Sequence, residues 1–476
     1  MAAVLEQPAV SAPAALGRLR GFASGAREID DAPVRVDGRL PDWLRGRLLL
    51  NGPALWELPH GRFRHWFDGL AMLHRLHITA AGVRYRSRFA RSEAYIKSLA
   101  AGTPAFGEFG TPNPASLLAR LKGASGTDNP AVVMSRVGER WIAVTETPFL
   151  TGFDPDTLAT TGRLALDDDA NLHLMAAHGF TDRDGTYWNV GTTLGPKCDV
   201  KLFRLRPGST RREVVATLRM PKAGYTHAFA MAEGHAIVWE TAMRAQPLAF
   251  RFSARSYIDN FRWEPQGGSM LHAVSLADGS VRSWAIPAMM CFHAVQAHAL
   301  GDEFVLELCT YEDATIFNDL RLEPLRSAKG QRAQPRLARY RLRRGCGDAA
   351  PEVFGGPFEL PQVHPDRIGR GPARVAWGAA FDPAHPDTFL DRTVRLDLAN
   401  GESRAWQRPN AVQLEPLFVP RPGGQTDDDG VLLVPTLADG DAATVIGVVD
   451  AHTMACEATL HAPQVIPFGF HAAFAA

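Results

Sequence analysis

Residues 467–476, Pro467-Phe-Gly-Phe-His471-Ala-Ala-Phe-Ala-Ala476, are apolar and aromatic around a single histidine. Chain ends are normally solvated and frayed, so this composition implies a segment that folds inward and delivers an imidazole to a buried place. Three further segments set one histidine in similarly apolar, strand-like company: Met175-Ala-Ala-His178-Gly-Phe, Gly224-Tyr-Thr-His227-Ala-Phe and Met290-Cys-Phe-His293-Ala-Val. A buried ring without a partner is costly, and a metal ion is one of the few partners that satisfies several rings at once. His178, His227, His293 and His471 are therefore expected to form a four-histidine metal centre. A lone buried histidine is more often a satisfied core residue, and the spacing is not local as in H-E-x-x-H, so the argument rests on the shared setting of the four. His60, His65, His74, His77, His235, His364, His385, His452 and His461 lie among charged, turn or proline-rich neighbours and are read as surface or second-layer groups. His173 and His298 each sit near a favoured candidate.

Three lone carboxylates strengthen the case. Glu146 follows Trp141-Ile-Ala-Val-Thr, Glu359 lies in Pro357-Phe-Glu-Leu-Pro, and Glu415 lies in Gln413-Leu-Glu-Pro-Leu-Phe-Val. Unpaired carboxylates rarely occupy apolar runs, whereas metal-bound imidazoles usually donate their second N–H to one. For any single glutamate the competing reading is a buried ion pair with arginine. Imidazole suits iron, copper, zinc or nickel. A structural zinc site would be closed and often thiolate-bound, while four ligands on an octahedral ion leave two positions open, enough for dioxygen. One ferrous ion per chain with O2 as co-substrate is the expectation, and copper stays open on ligand chemistry alone.

The elements that must position these groups are short. Runs such as Arg47-Leu-Leu-Leu-Asn, Trp141-Ile-Ala-Val-Thr, Ala236-Ile-Val-Trp-Glu, Phe304-Val-Leu-Glu-Leu and Gly430-Val-Leu-Leu-Val are separated by turns such as Ala81-Gly, Asp184-Gly, Asp278-Gly and Asn400-Gly. Even spacing of this kind predicts an all-β sandwich, barrel or propeller. Helical periodicity is confined to Pro114–Lys122 and Asn318–Ala328. No repeat signature divides the chain, so a loose Ala/Pro/Gly-rich lead-in over 1–28 and one β domain over 29–476 are expected. A propeller brings inner strands to a common axis.

Of the 476 residues, 46% are hydrophobic and 21% charged, which allows a large core, and 51 basic residues balance 51 acidic ones. The balance leaves no excess positive charge to displace phosphate counterions, which argues against a nucleic-acid partner. Five widely spaced cysteines, Cys198, Cys291, Cys309, Cys346 and Cys456, form no C-x-x-C pair and indicate a reducing compartment. No signal peptide opens the chain, and no stretch reaches the roughly 20 apolar residues of a spanning helix. A cytoplasmic location, with at most peripheral membrane contact, is expected. Oligomeric state stays open.

Read in order, several motifs have a family likeness: Leu40-Pro-Asp-Trp-Leu-Arg-Gly, Leu50-Asn-Gly-Pro, His65-Trp-Phe-Asp-Gly-Leu-Ala-Met-Leu-His74, Glu108-Phe-Gly-Thr, Thr127-Asp-Asn, Thr145-Glu-Thr and Asp154-Pro-Asp-Thr-Leu. Glu415-Pro-Leu-Phe-Val-Pro, Asp427-Asp-Asp-Gly-Val-Leu-Leu and Pro467-Phe-Gly-Phe-His471 complete the series. Over nearly the whole chain they resemble the carotenoid cleavage oxygenases, and within them the animal-type branch of β-carotene oxygenases and the retinal isomerohydrolase. An Ala- and Arg-rich composition suggests a bacterial member.

The resemblance implies a seven-bladed β-propeller, a helical and loop cap over its top face, and the metal on the propeller axis. The family's iron ligands map onto His178, His227, His293 and His471, and its supporting glutamates onto Glu146, Glu359 and Glu415. Thr145 falls where the family sets a small side chain beside an open coordination position. Phe63, Tyr95, Phe109, Tyr311 and Phe317 are candidates for an aromatic substrate tunnel, each more often structural than selective when taken singly. The implied activity is oxidative cleavage of a conjugated C=C bond of a carotenoid or apocarotenoid into two carbonyl products, with no general base or nucleophile. Alternatives are a stilbene-cleaving oxygenase in which Tyr95 and a nearby lysine grip a phenol, an isomerohydrolase using iron as a Lewis acid, and a non-catalytic polyene-binding propeller. Two departures stand out: Ala177-His178-Gly179 replaces the usual Ala-His-Pro, and Pro112-Asn-Pro-Ala115 lacks the cysteine of the family's lipidation patch. The apolar-plus-basic segment Ser116–Lys122 is a candidate for bilayer contact.

Overall fold

The computed structural model describes residues 17–121, 126–327, 332–382, 384–385 and 388–476. It is mostly β, as the short apolar runs between turn residues require. Five antiparallel sheets succeed one another along the chain. The first contains Val133–Val137, Arg140–Val144, Thr151–Phe153 and Thr160–Arg163. The second is built on Leu174–Met175, Phe180–Thr181, Tyr187–Thr193, Cys198–Leu205 and Glu213–Met220, and the third on Ala230–Ala232, His235–Glu240, Ser269–Ser275 and Val281–Ile286. Met290–Leu300, Glu303–Tyr311, Arg336–Arg343 and Pro351–Phe354 make the fourth, and Glu359–Val363, Val375–Ala380, Arg392–Asp397 and Ser403–Trp406 the fifth.

A ten-stranded sheet joins sequence-distant ends of the fold. Within it, Ile29–Gly38 pairs with Gly82–Phe89 on one side and Cys456–His461 on the other. His471–Ala475 pairs with Gly46–Leu55, placing His471 opposite Asn51. This approach needs glycine at two points: a Cβ on Gly52 would overlap Gly469, and one on Gly469 would overlap the Asn51 carbonyl. The first strands of neighbouring sheets lie against one another. Met290–Leu300 touches Ala230–Ala232 and Glu359–Val363; Leu417–Pro420 touches Glu359–Val363 and His471–Ala475; Val133–Val137 touches His471–Ala475 and Phe180–Thr181.

Three expectations change here. The lead-in expected to be loose over 1–28 is packed over its described part. Gly17–Phe22 forms a 3-10 turn, and the fully buried Phe22 ring meets Trp66, Phe389 and Phe468 at 4.9–5.4 Å. The Arg326 guanidinium donates to the Phe22 carbonyl. One aromatic anchor outweighs the surrounding Ala/Pro/Gly composition; residues 1–16 lie outside the described part.

The helix expected over Pro114–Lys122 is shorter, Leu117–Leu121, with Lys122 outside the described residues. The helix expected over Asn318–Ala328 is two, Ile316–Asp319 and Leu322–Arg326, because the Leu320 carbonyl and Leu322 N–H are drawn off to Trp66 and Arg64; Ala328 is not described. A further helix, Glu93–Ala101, begins where the Ser92 hydroxyl accepts from Tyr95 N–H and ends at Gly102 in the left-handed conformation. Among the described residues no helix is long and apolar enough to cross a membrane.

Candidate metal centre

The structure brings His178, His227, His293 and His471 together, with their candidate ligand atoms all within 4.8 Å of one another. Ring centroids are 4.3 Å apart for His178–His471, 4.9 Å for His178–His293 and 5.2 Å for His227–His293. Each histidine sits on or beside the first strand of its sheet. His293 lies within Met290–Leu300, where the pairing with Glu303–Tyr311 shifts register, and His471 opens its own strand. His178 follows Leu174–Met175, and its N–H donates to the His227 carbonyl at 3.2 Å. A Cβ at position 179 would overlap the Tyr187 ring, which explains glycine there in place of proline.

Three rings are fixed from behind. Nδ1 of His227 lies 2.6 Å from Glu146, that of His293 2.6 Å from Glu359, and that of His471 2.8 Å from Glu415. The carboxylates are themselves held. Glu146 accepts from the Tyr225 hydroxyl at 2.6 Å, and Glu359 from the Tyr311 hydroxyl and Leu360 N–H, each at 2.9 Å. Glu415 accepts from Gln362 at 2.9 Å and Ala472 N–H at 2.7 Å. No arginine pairs with any of the three among the described residues, so the ion-pair reading does not apply. His178 has no carboxylate.

With Nδ1 committed to carboxylate, Nε2 is left for the interior. Nε2 of His178 and of His293 are buried without any hydrogen-bond partner. Burial, reinforced by the neighbouring rings, holds the His178 and His227 imidazoles well below the ordinary histidine range. Burial raises Glu146 to about 8 against the opposing Tyr225 hydrogen bond. Imidazoles with unmet inward nitrogens, oriented by the acceptors behind them, are a donor set that fits a divalent metal.

Two cavities share part of their walls beside the centre, and the smaller one reaches the histidines. The larger, about 600 Å³, is lined by Thr145, Glu146, Glu108, Phe109 and Tyr257 among others; the smaller, about 50 Å³, by His227, His293, His471, Phe292 and Phe470. Phe67 and Val132 line both.

The expected tunnel residues divide accordingly. Thr145 and Phe109 line the larger cavity. Tyr311 lines the smaller one, but its hydroxyl serves Glu359. Phe317 packs behind the wall on Tyr225 and Phe292 at 5.2 and 5.5 Å. Phe63 and Tyr95 line neither cavity. Phe63 is core, its N–H bonded to the Trp56 carbonyl. Tyr95 is carried by Glu93–Ala101 onto Phe89, with the Arg91 guanidinium over its ring. No lysine lines either cavity among the described residues, so the phenol grip does not form.

Val132, placed next to Val144 by its N–H bond to the Val144 carbonyl, lines the smaller cavity with His227, His293 and His471, and no feature of the sequence marked it. Phe292 and Phe470 were also missed, although each immediately precedes a clustered histidine. Tyr225 stacks on His227, two residues on, in the connection between Ala223–Gly224 and Ala230–Ala232, and its closeness in sequence to that histidine is the one signal that could have found it.

The histidines read as surface or second-layer groups include two that are buried, His65 and His74, at 0% and 2% exposure. His65 Nδ1 accepts from Phe67 N–H and Nε2 meets the Phe317 carbonyl, while His74 bonds the Tyr85 hydroxyl. Local hydrogen bonding, invisible in their charged neighbours, lets them be buried. His173 is exposed and lines the larger cavity; His298 is buried but apart from the cluster.

Comparison with known proteins agrees with this picture. The rice protein "Carotenoid cleavage dioxygenase 8 homolog A, chloroplastic" is 30% identical over 95% of this chain and 87% of its own length. The human "Carotenoid-cleaving dioxygenase, mitochondrial" is 26% identical over 97% of this chain and 92% of its own. The crystal structure of cobalt-substituted Synechocystis apocarotenoid oxygenase superposes with a TM-score of 0.85 at 24% identity, covering 96% of this chain and 98% of that one. The model of the family described as "Retinal pigment epithelial membrane protein" matches residues 22–476, and the chain belongs to that family.

Proposed function

We propose that the protein is a non-haem iron(II) dioxygenase that cleaves a conjugated C=C bond of a carotenoid or apocarotenoid into two aldehyde or ketone products. The observation that carries this reading is the group of four clustered imidazoles, three of them carboxylate-backed, beside a small apolar cavity that shares Phe67 and Val132 with a 600 Å³ one. The carotenoid-cleaving activity in the names of the rice and human relatives supports it. Bound by His178, His227, His293 and His471, ferrous iron supplies the redox chemistry through which dioxygen is added to the double bond. The chain itself contributes position and dryness. Glu146, Glu359 and Glu415 fix ring tautomers, Phe292 and Phe470 exclude water around the centre, and Phe67 and Val132 constrict the path from the cavity. Thr145 stays in the wall of the larger cavity, and Val132 is a second small side chain, on the wall that the smaller cavity shares with His227, His293 and His471.

The same reading includes a seven-bladed propeller formed by residues 29–476. The five successive sheets count as five blades, and the ten-stranded sheet as two more that share Ile29–Gly38. The short helices in the strand connections form the cap. We place the bilayer contact at the helix Leu117–Leu121, which packs on Ala249–Phe252. Leu117, Leu118, Leu248 and Phe252 are all about half exposed or more, and Leu248 and Arg120 also line the larger cavity, so an apolar substrate enters from the membrane side. Five unpaired cysteines support a reducing, cytoplasmic setting.

The test is aerobic incubation of the iron-loaded protein with carotenoids, apocarotenals and stilbenes, followed by product mass spectrometry and oxygen uptake. Paired carbonyl fragments with one O2 consumed per bond support the reading. Cleavage of stilbenes alone, or ester hydrolysis with isomerisation and no oxygen uptake, overturns it.

A further inference from the structure

We propose that the Glu108 side chain binds an oxygen atom of the substrate, so that the cavity selects polyenes bearing a carbonyl or hydroxyl oxygen over hydrocarbons of the same length. This names the substrate class within the function proposed above and rests on it.

Glu108 is only 5% exposed, yet it lines the larger cavity together with Thr145 and Glu146. One carboxyl oxygen, Oε1, accepts from the Thr127 hydroxyl at 2.6 Å. Thr127 is anchored in turn, its carbonyl accepting from the Thr147 hydroxyl at 2.9 Å. Among the described residues the other oxygen of Glu108 has no hydrogen-bond partner and no cation pairs with the group, and the side chain lies on the cavity wall. A polar group held largely out of bulk solvent favours a partner that meets it.

The nearby Asp68 makes the contrast. It is equally buried, but both its oxygens are consumed: Gly110 N–H donates to Oδ1, and the Thr111 hydroxyl and His65 N–H donate to Oδ2. Asp68 ties loops together; Glu108 keeps one oxygen for the cavity. Burial holds the Glu108 carboxyl well above its usual range, against the Thr127 hydrogen bond, and Asp68 and Asp128 push it the same way. A neutral acid whose Oε1 already accepts has its O–H free to donate from Oε2. Tyr257 stands beside it, its N–H donating to the Glu108 carbonyl at 3.0 Å. The Tyr257 hydroxyl has no hydrogen-bond partner among the described residues, and Tyr257 belongs to the same wall. A hydrocarbon would leave these donors unmet, whereas a substrate oxygen satisfies them, which is the condition under which a polar site discriminates strongly.

Binding is measured on the iron-loaded protein without oxygen, so that no turnover intervenes, by tryptophan-fluorescence titration with a retinal-length apocarotenal and with its hydrocarbon analogue. The wild type binds the aldehyde about tenfold more tightly or better, as one well-made buried hydrogen bond predicts. Glu108→Leu brings the ratio to about one, and Glu108→Gln, which keeps an acceptor for Thr127 and a donor for the cavity, restores it. The resonance Raman carbonyl stretch of the bound aldehyde is lower in the wild type and Glu108→Gln than in Glu108→Leu. A wild-type ratio near one, or a Glu108→Leu variant with unchanged iron content that keeps the preference, overturns the proposal. A Glu108-dependent ratio in a protein that never cleaves a polyene leaves this inference standing and removes the function above; failure to bind either polyene removes both.

Discussion

Two sides of the ring cluster are built differently. His227, His293 and His471 each lean on a buried glutamate that is itself held by a hydroxyl, an amide or a main-chain N–H. His178 instead is held by its main chain, through the bond to the His227 carbonyl, and by the close fit of Gly179 on Tyr187. The difference shows two ways to aim an imidazole. A carboxylate fixes the tautomer and raises ligand basicity, while packing fixes only direction.

The strongest way to break the comparison is to remove a backed ring. His227→Ala is expected to leave no bound metal after dialysis, measured by elemental analysis, and to abolish activity. Removing the backing alone is milder. Glu415→Gln weakens metal affinity by roughly 10–100-fold with the fold intact, read by competition with a chelator and by circular dichroism.

The smallest effect separates the cluster from histidines outside it. Burial pushes His65 and His74 down to about 3, whereas an unfolded chain binds those protons near 6.5. Their contribution to stability is complete above pH 6.5 and is lost as pH falls toward 3. Thermal melts of the metal-free protein in chelator should therefore show a falling midpoint below pH 6.5, and His74→Gln should flatten part of that fall.

The four rings and three glutamates could be read from the sequence because each lies in an apolar run that has no other reason to carry a polar group. The tunnel could be read only in part, through Thr145, Phe109 and Tyr311. Phe63, Tyr95 and Phe317 are as aromatic as Phe67, Phe292 and Phe470, and only packing decides which faces the cavity. Tyr95 went astray with its helix, whose start and stop rest on Ser92 and Gly102 alone. Val132 carries no chemical signal at all; its place comes from sheet register. Charged neighbours concealed the burial of His65 and His74, and Ala/Pro/Gly composition concealed Phe22.

The ten-stranded sheet has a consequence for assembly. It welds residues 29–55 to residues 456–475, and the cluster draws its rings from sheets on both sides of that weld. An ion bound by all four rings therefore favours the joined sheet and adds nothing to one whose ends have parted, by mass action. Metal content becomes a gauge of that seam: chelation should loosen it before the separate sheets, and hydrogen exchange should quicken first along His471–Ala475 and Gly46–Leu55.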